Sequence, residues 1–318
     1  MRQPPLRPPS RWTVGPAVLL VLACVLWAGS SVAAKVALSS SSTIPPGKVG
    51  PFLLAAVRFG LAGALLFAFC RWRGYWRPIP SRDRRAFVAL GTFGIAFTYG
   101  VFYGGIRFTT ATETTLLVAA EPVLIALLAR AVLGERMRTT QISGMLVGLA
   151  GVYLIVMRGL TPTLQGTAVA NAVVTGALVF EALSSVIGKR LTQSYPGLQV
   201  AALGMLTGAA VLLPFAVHET IAHHVGLPGP VEVLAIVYLT LVCSALCYGI
   251  WYLLLPRFSL SSMAAFLFIQ PVLGPVYGYR LLGERMGMWT ILGGGLVMLG
   301  VWLVAAYTEN GQSRGRTT

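Results

Sequence analysis

The sequence predicts an all-α polytopic membrane protein, with ten transmembrane helices arranged as two inverted five-helix repeats. Three observations carry this prediction. Only 10% of the 318 residues are charged while 56% are hydrophobic, and the mean hydropathy is +0.77. The apolar residues fall into ten runs separated by short connectors. One stretch, marked by a proline and a Leu-Gly-Glu-Arg-Met sequence, occurs twice.

The composition excludes a soluble domain. Such a domain carries about 25% charged residues, and here too few polar groups remain to cover an aqueous surface. The bilayer must be the solvent for most of the chain. The formal charge of +15 does not point to nucleic acid, because the Arg and Lys residues sit in connectors rather than on one solvated face. A charge excess there is a topology signal. Cys24, Cys70, Cys243 and Cys247 all fall in or beside apolar runs and read as small buried residues. No metal site and no cofactor are expected.

A spanning helix needs about 20 apolar residues. On that measure the spans are 14–38, 49–70, 84–103, 112–133, 139–157, 166–187, 198–217, 230–253, 260–281 and 287–307. The basic, proline-rich start from Met1 to Trp12 resembles a signal peptide. The apolar run after it continues through Val36, so it is read as a retained first helix. Turn residues mark connectors such as Ile44-Pro45-Pro46-Gly47 and Leu227-Pro228-Gly229-Pro230. The expected organisation is a first repeat at 14–157, a second at 166–307, and tails at 1–13 and 308–318.

Orientation follows from the basic residues. Seventeen Arg and Lys residues fall on the side of the termini, among them Arg2, Arg71, Arg84, Arg136, Lys189 and Arg257, against five on the other: Lys48, Arg107, Arg158, Arg280 and Arg285. Both termini are therefore expected in the cytoplasm, with the chain in the plasma (inner) membrane. His218, His223 and His224 then lie near or in an outer loop.

The duplication is specific. Glu121-Pro122-Val123-Leu124 leads to Leu133-Gly134-Glu135-Arg136-Met137, and Gln270-Pro271-Val272-Leu273 leads at the same spacing to Leu282-Gly283-Glu284-Arg285-Met286. A weaker match pairs Trp27–Lys35 with Glu181–Lys189 through a shared Ser-Ser-Val and final lysine. Five spans per half is an odd number, so the second half is inverted. Inverted halves can exchange conformations and open a midplane site to either side in turn, which is the logic of a secondary transporter.

These residues resemble the two-domain EamA-type proteins of the drug/metabolite transporter superfamily. The resemblance runs over about 14–307 and rests on Trp27 with Lys35, the Glu121-Pro122 helix ending in Leu-Gly-Glu-Arg, its second copy, and Ser244–Trp251. It implies ten helices, cytoplasmic termini, a central cavity between the halves, and mostly export of amino acids, metabolites or drugs. Gln270 departs from the Glu that many relatives carry there. The Glu181-to-Lys189 spacing also resembles small multidrug resistance proteins, in which a membrane glutamate exchanges protons for cationic substrates.

Ionisable residues inside a span cost about 2.5–3.5 kcal/mol on insertion scales, so they face the bundle or a wet cavity. Lys35, Arg58, Glu121 and Glu181 are of this kind. Glu181 reads either as a proton-coupling or cation-binding carboxylate, or as a structural one paired with Lys35 or Arg58. Lys35 and Arg58 suit a solute carboxylate or phosphate; anchoring for Lys35 and an internal charge pair for Arg58 are the other readings. Pro122 and Pro271 are expected to kink their helices and free carbonyls. Trp27, Tyr99, Tyr103, Tyr248, Trp251 and Tyr252 are candidate cavity aromatics, and Asn171 and Gln270 candidate hydrogen-bonding groups. Gly144-x-x-x-Gly148 and Gly293–Gly295 with Gly300 are expected to let helices approach closely. No nucleophile, base or phosphate-loop constellation supports an enzyme, and no selectivity-filter repeat supports a channel. Small solutes, protons and the lipid bilayer are the partners to consider; oligomeric state is not readable.

Overall fold

The computed structural model describes residues 13–38, 49–105, 118–135, 137, 139–157, 168–222, 228–282 and 288–310. Among these residues the chain forms ten helical rods and no strand. They are α1 (14–37, broken at Gly29), α2 (Pro51–Trp72), α3 (81–105), α4 (Glu121–Leu133), α5 (Thr139–Met157), α6 (Ala168–Leu191), α7 (Gly197–Ala222), α8 (230–254), α9 (260–282) and α10 (Met288–Asn310). Five of them, α1, α2, α3, α7 and α8, are long and apolar enough among the described residues to cross a membrane.

The side-chain distribution is that of a protein solvated by lipid. Leu61, Leu146, Leu213, Ile221 and Leu234 are exposed, whereas Arg58, Thr98, Ser244 and Ser261 are buried. Water would drive the opposite arrangement; hydrocarbon tolerates exposed leucine and drives polar groups inward.

The rods pack as two matching halves. α2 packs on α7, α5 on α10, α4 on both α6 and α9, α1 on α8 and α9, and α3 on α6 and α7. Exchanging each of α1–α5 with its counterpart in α6–α10 returns the pairings α2–α7, α5–α10 and α4–α9 to themselves. The same exchange turns α4–α6 into α9–α1 and α3–α6 into α8–α1. The glycines predicted to permit close approach do so between α5 and α10 of one chain. A Cβ on Gly300 would stand 2.5 Å from the Gly144 carbonyl oxygen, and one on Gly151 would stand 2.5 Å from that of Gly293.

Two rods share an unusual feature. α3 contains a π-helical stretch at Thr92–Phe97 and α8 another at Tyr238–Tyr248, so the widened turns occupy the same rod in each half. Such turns rotate the residues that follow them and often mark functional positions. Here they deliver Tyr99 and Tyr248.

The rods are interrupted where the prolines were expected to kink them. α4 starts at Glu121 with Pro122 in its first turn, just after a turn at 119–120. α9 runs as Leu260–Phe266, turns at 267–268, and resumes at Ile269 with Pro271 again near the start. A residue without an N–H is best placed in a first turn, where that donor would go unpaired anyway. The break precedes the proline in both halves.

The first Leu-Gly-Glu-Arg motif has a structural explanation. Gly134 ends α4 with φ of 68°, a left-handed conformation that glycine adopts without a Cβ clash. The turn points Glu135 at the start of α9, where its carboxylate accepts from Leu260 N at 2.8 Å, Ser261 N at 3.1 Å and Ser261 Oγ at 2.7 Å. Lys189 reinforces this end of the bundle. Its expected place is a solvated connector, but it is buried, donating to the carbonyls of Leu255 at 2.6 Å and Phe258 at 2.5 Å. Carbonyls of the α8–α9 turn, at Leu255 just past the helix end and at Phe258, need donors, and a lysine on α6 supplies them. Glu135→Ala removes three hydrogen bonds to a charged acceptor and is expected to lower unfolding stability by about 2–4 kcal/mol. Ser261→Ala, which removes one of them, should lower the melting temperature less when both are compared with wild type in one detergent.

His218 is exposed on the last turns of α7, while His223 and His224 lie outside the described residues, as does the second Leu-Gly-Glu-Arg loop from Gly283. All four cysteines are buried.

Candidate functional site

A cavity lies where α1, α2, α3, α4, α6, α8 and α9 meet. Nine residues singled out from the sequence line it: Trp27, Arg58, Tyr99, Tyr103, Glu121, Glu181, Tyr248, Trp251 and Gln270. The side chains of Lys35 and Asn171 lie outside the described residues. The cavity has a volume of about 90 Å³.

Arg58 is the buried cation of this cavity. It lies two turns into α2, 2% exposed, with its Nε donating to Ser244 Oγ at 2.7 Å and its NH1 to Tyr103 OH at 2.5 Å. The guanidinium carbon sits 4.6 Å from the centre of the Phe59 ring and 5.1 Å from that of Tyr99. The internal charge pair considered for Arg58 is not formed among the described residues, where its side-chain hydrogen bonds go to hydroxyls.

Glu181 takes different partners. Its Oε1 lies 3.2 Å from Tyr99 OH and 3.1 Å from Tyr248 OH, and the two hydroxyls are also in contact, so their two protons are shared among three hydrogen-bonding contacts. Tyr99 thus stands between the charges: its ring lies beside the Arg58 guanidinium and its hydroxyl reaches Glu181. Glu121 lines the same cavity with no hydrogen-bond partner among the described residues. The space therefore carries a cation at one place and two carboxyl groups at another, with aromatic faces between.

Trp27 is held by its indole N–H, which donates to the Cys243 carbonyl at 2.8 Å. Its ring meets Tyr248 edge-on at 5.1 Å and lies 6.0 Å from Trp251. This contact crosses the two halves. Gly29 lets α1 approach α8, since a Cβ there would stand 2.7 Å from Tyr238 OH, the group that donates to the Leu26 carbonyl.

Sequence reasoning missed several contributors. Ser31 and Ser185 both line the cavity, and they are equivalent positions of the Ser-Ser-Val match. Phe102 and Trp251 are likewise equivalent. Tyr99-Gly100-Val101-Phe102-Tyr103 repeats as Tyr248-Gly249-Ile250-Trp251-Tyr252, a second internal match that is visible in the sequence and names the cavity tyrosines directly. Ser244, which holds Arg58, begins the Ser244–Trp251 stretch, but nothing there marks it as a partner of Arg58. Tyr252 packs on Gly188 instead of lining the cavity, because a Cβ on Gly188 would meet its ring at 2.9 Å.

Buried charges, aromatic walls and a cavity at the junction of two matching helical halves define an integral membrane protein of the transporter class. The EamA-like transporter family matches residues 15–157 and again 169–306, and the chain belongs to that family, within the drug/metabolite transporter superfamily. It is 30% identical over 293 residues to an uncharacterized transporter of Archaeoglobus fulgidus, covering 91% of this chain and 96% of that protein. It is also 30% identical to a probable terminal-alkyne amino-acid exporter of Streptantibioticus cattleyicolor, covering 90% and 91%. A probable amino-acid metabolite efflux pump of Salmonella typhimurium is 25% identical over 297 residues, covering 90% and 93%. A solved crystal structure shares the fold at a TM-score of 0.73 and 21% identity, covering 93% of this chain and 98% of that one. The family and these relatives are named as transporters, not enzymes.

Proposed function

We propose that this protein exports small organic solutes, such as amino acids or related metabolites, across the plasma (inner) membrane by alternating access, with proton movement coupled through Glu181. In this reading ten spans form two inverted repeats, 14–157 and 166–307, and both terminal tails are cytoplasmic. The observation that carries it is the cavity between the halves, lined by ionisable and aromatic side chains from both. A polar site at the junction of two similar halves suits a carrier. Export is supported by the names of the relatives. The proposed solute-contacting residues are the nine that line the cavity; Lys35 and Asn171 are proposed from sequence alone.

A passive carrier is the second reading. It is favoured by the two phenolic donors that already satisfy Glu181 Oε1.

Counterflow separates carrier from channel. Liposomes containing the purified protein are loaded with unlabelled amino acid and given tracer outside. Transient tracer accumulation above equilibrium is expected, and simple equilibration would sink the carrier reading. Tyr99→Phe keeps the ring beside Arg58 but removes one donor to Glu181, so saturable tracer exchange should persist while its dependence on pH changes. A pH profile identical to wild type would remove Tyr99 from the coupling route.

A further inference from the structure

We infer that Arg58 is the anion subsite of the cavity, and that the solutes carried are small carboxylates, zwitterions above all, rather than organic cations. The inference rests on the proposal that this cavity holds a transported solute.

A guanidinium has five N–H donors in a planar fork, and in Arg58 two of them are used, on the neutral hydroxyls of Ser244 and Tyr103. Neither acceptor carries charge. Burying a cation without a counter-ion costs several kcal/mol, and here only hydroxyls and the ring faces of Phe59 and Tyr99 contact it, with no salt-bridged carboxylate among the described residues. Glu181, the carboxylate beside it, is committed to the Tyr99 and Tyr248 hydroxyls. Tyr99 keeps the two charges apart instead of letting them collapse into a salt bridge.

Arg58 also breaks the symmetry of the fold. α7 occupies the place of α2 in the second half, yet Gly197–Ala222 contains no Arg or Lys. A purely structural cation serving helix packing would have an equivalent task on both sides of the pseudo-symmetric interface. A solute is asymmetric and needs its cation once. A carboxylate is planar and accepts two parallel N–H bonds, which matches the unused edge of a guanidinium better than any other common solute group. A carboxylate on Arg58 leaves an ammonium group free to lie toward Glu121 and Glu181, with the aromatic faces of Trp27 and Tyr248 alongside. An amine without a carboxylate would instead bring a second positive charge into the space Arg58 already occupies.

The test uses the full chain in nanodiscs and a series of amino acids, each set against its own methyl ester and the corresponding amine. Binding is read from the fluorescence of Trp27 and Trp251 and from thermal stabilisation. The acids are expected to bind saturably, and at least tenfold tighter than their esters or amines. Arg58→Lys, which keeps the charge without the fork, should weaken the acid about tenfold and narrow its advantage over the ester; Arg58→Gln should abolish that advantage. The wild-type series stands alone if the variants fail to fold. Esters or amines that bind as tightly as the acids, an acid preference that survives in Arg58→Gln, or a panel in which nothing binds would each overturn the inference. Counterflow of amines but not acids would overturn it while leaving a transporter. Acid-selective binding without counterflow would uphold the Arg58 subsite and remove the carrier reading instead.

Discussion

Glu181→Gln is expected to abolish solute-driven proton release from proteoliposomes while leaving solute counterflow in place. The substitution is nearly isosteric, and the amide oxygen can accept from Tyr99 and Tyr248 as the carboxylate oxygen does at 3.2 and 3.1 Å. The fold should therefore survive, and an unchanged melting temperature in detergent checks that it has. What the variant loses is the ability to bind and release a proton. A coupled carrier without its proton-binding group still exchanges solute for solute, because loaded halves can reorient, but it no longer converts a solute gradient into proton movement. Loss of proton release by more than about fiftyfold, with tracer exchange within a few-fold of wild type, is the expected pair of results; a single lost neutral hydrogen bond, which contributes about 0.5–1.5 kcal/mol, accounts for about thirteenfold at most. Proton release equal to wild type would assign Glu181 to structure and leave the passive carrier, with Arg58 and the aromatic residues as its solute determinants.

Gly300→Leu is expected to prevent recovery of folded protein. Gly300 is buried where α10 crosses α5, and a Cβ there would lie 2.5 Å from the Gly144 carbonyl oxygen and 2.7 Å from the Gly148 backbone nitrogen. These neighbours are backbone atoms of a helix and cannot swing aside as a side-chain end can. Overpacking a core costs about 1–3 kcal/mol even where side chains can adjust, and here whole rods must separate. In lipid, helix association relies on close packing because the hydrocarbon outside is as apolar as leucine, so a forced gap is not offset by burial elsewhere. Gly295→Leu is the control: it lies on the same rod, is exposed, and has nothing within 4 Å of where a Cβ would stand. Size-exclusion profiles and melting temperatures should be lost for Gly300→Leu and unchanged for Gly295→Leu. Equal behaviour of the two variants would mean that the α5–α10 crossing does not depend on this contact.

How much of this was legible beforehand varies by residue. Rod positions followed from apolar run length, and helix ends moved by a few residues: α3 occupies 81–105 against an expected 84–103, and α6 ends at Leu191 instead of 187. Those ends are amphipathic, and hydropathy does not see the boundary between a spanning helix and its continuation into the interface. Charge placement was a poor guide to burial. Lys189 looked like one more connector cation, and only the turn whose carbonyls it holds explains why it is buried.

Composition and internal repetition by themselves determined that this chain is a helical membrane protein of two matching halves, and they named most of the residues that meet in the cavity. An ionisable or aromatic residue deep in an apolar run has few places to go, so its presence already implies an interior. Which of those residues pair was decided by the tertiary structure alone. Glu181 bonds two tyrosines from different halves, and Arg58 bonds Ser244, 186 positions away, which the sequence marked only as the start of a family-like stretch and not as its partner. Partner choice depends on ångström-scale separations set by helix crossings and by two π-helical turns, and a linear pattern contains the residues but not those separations.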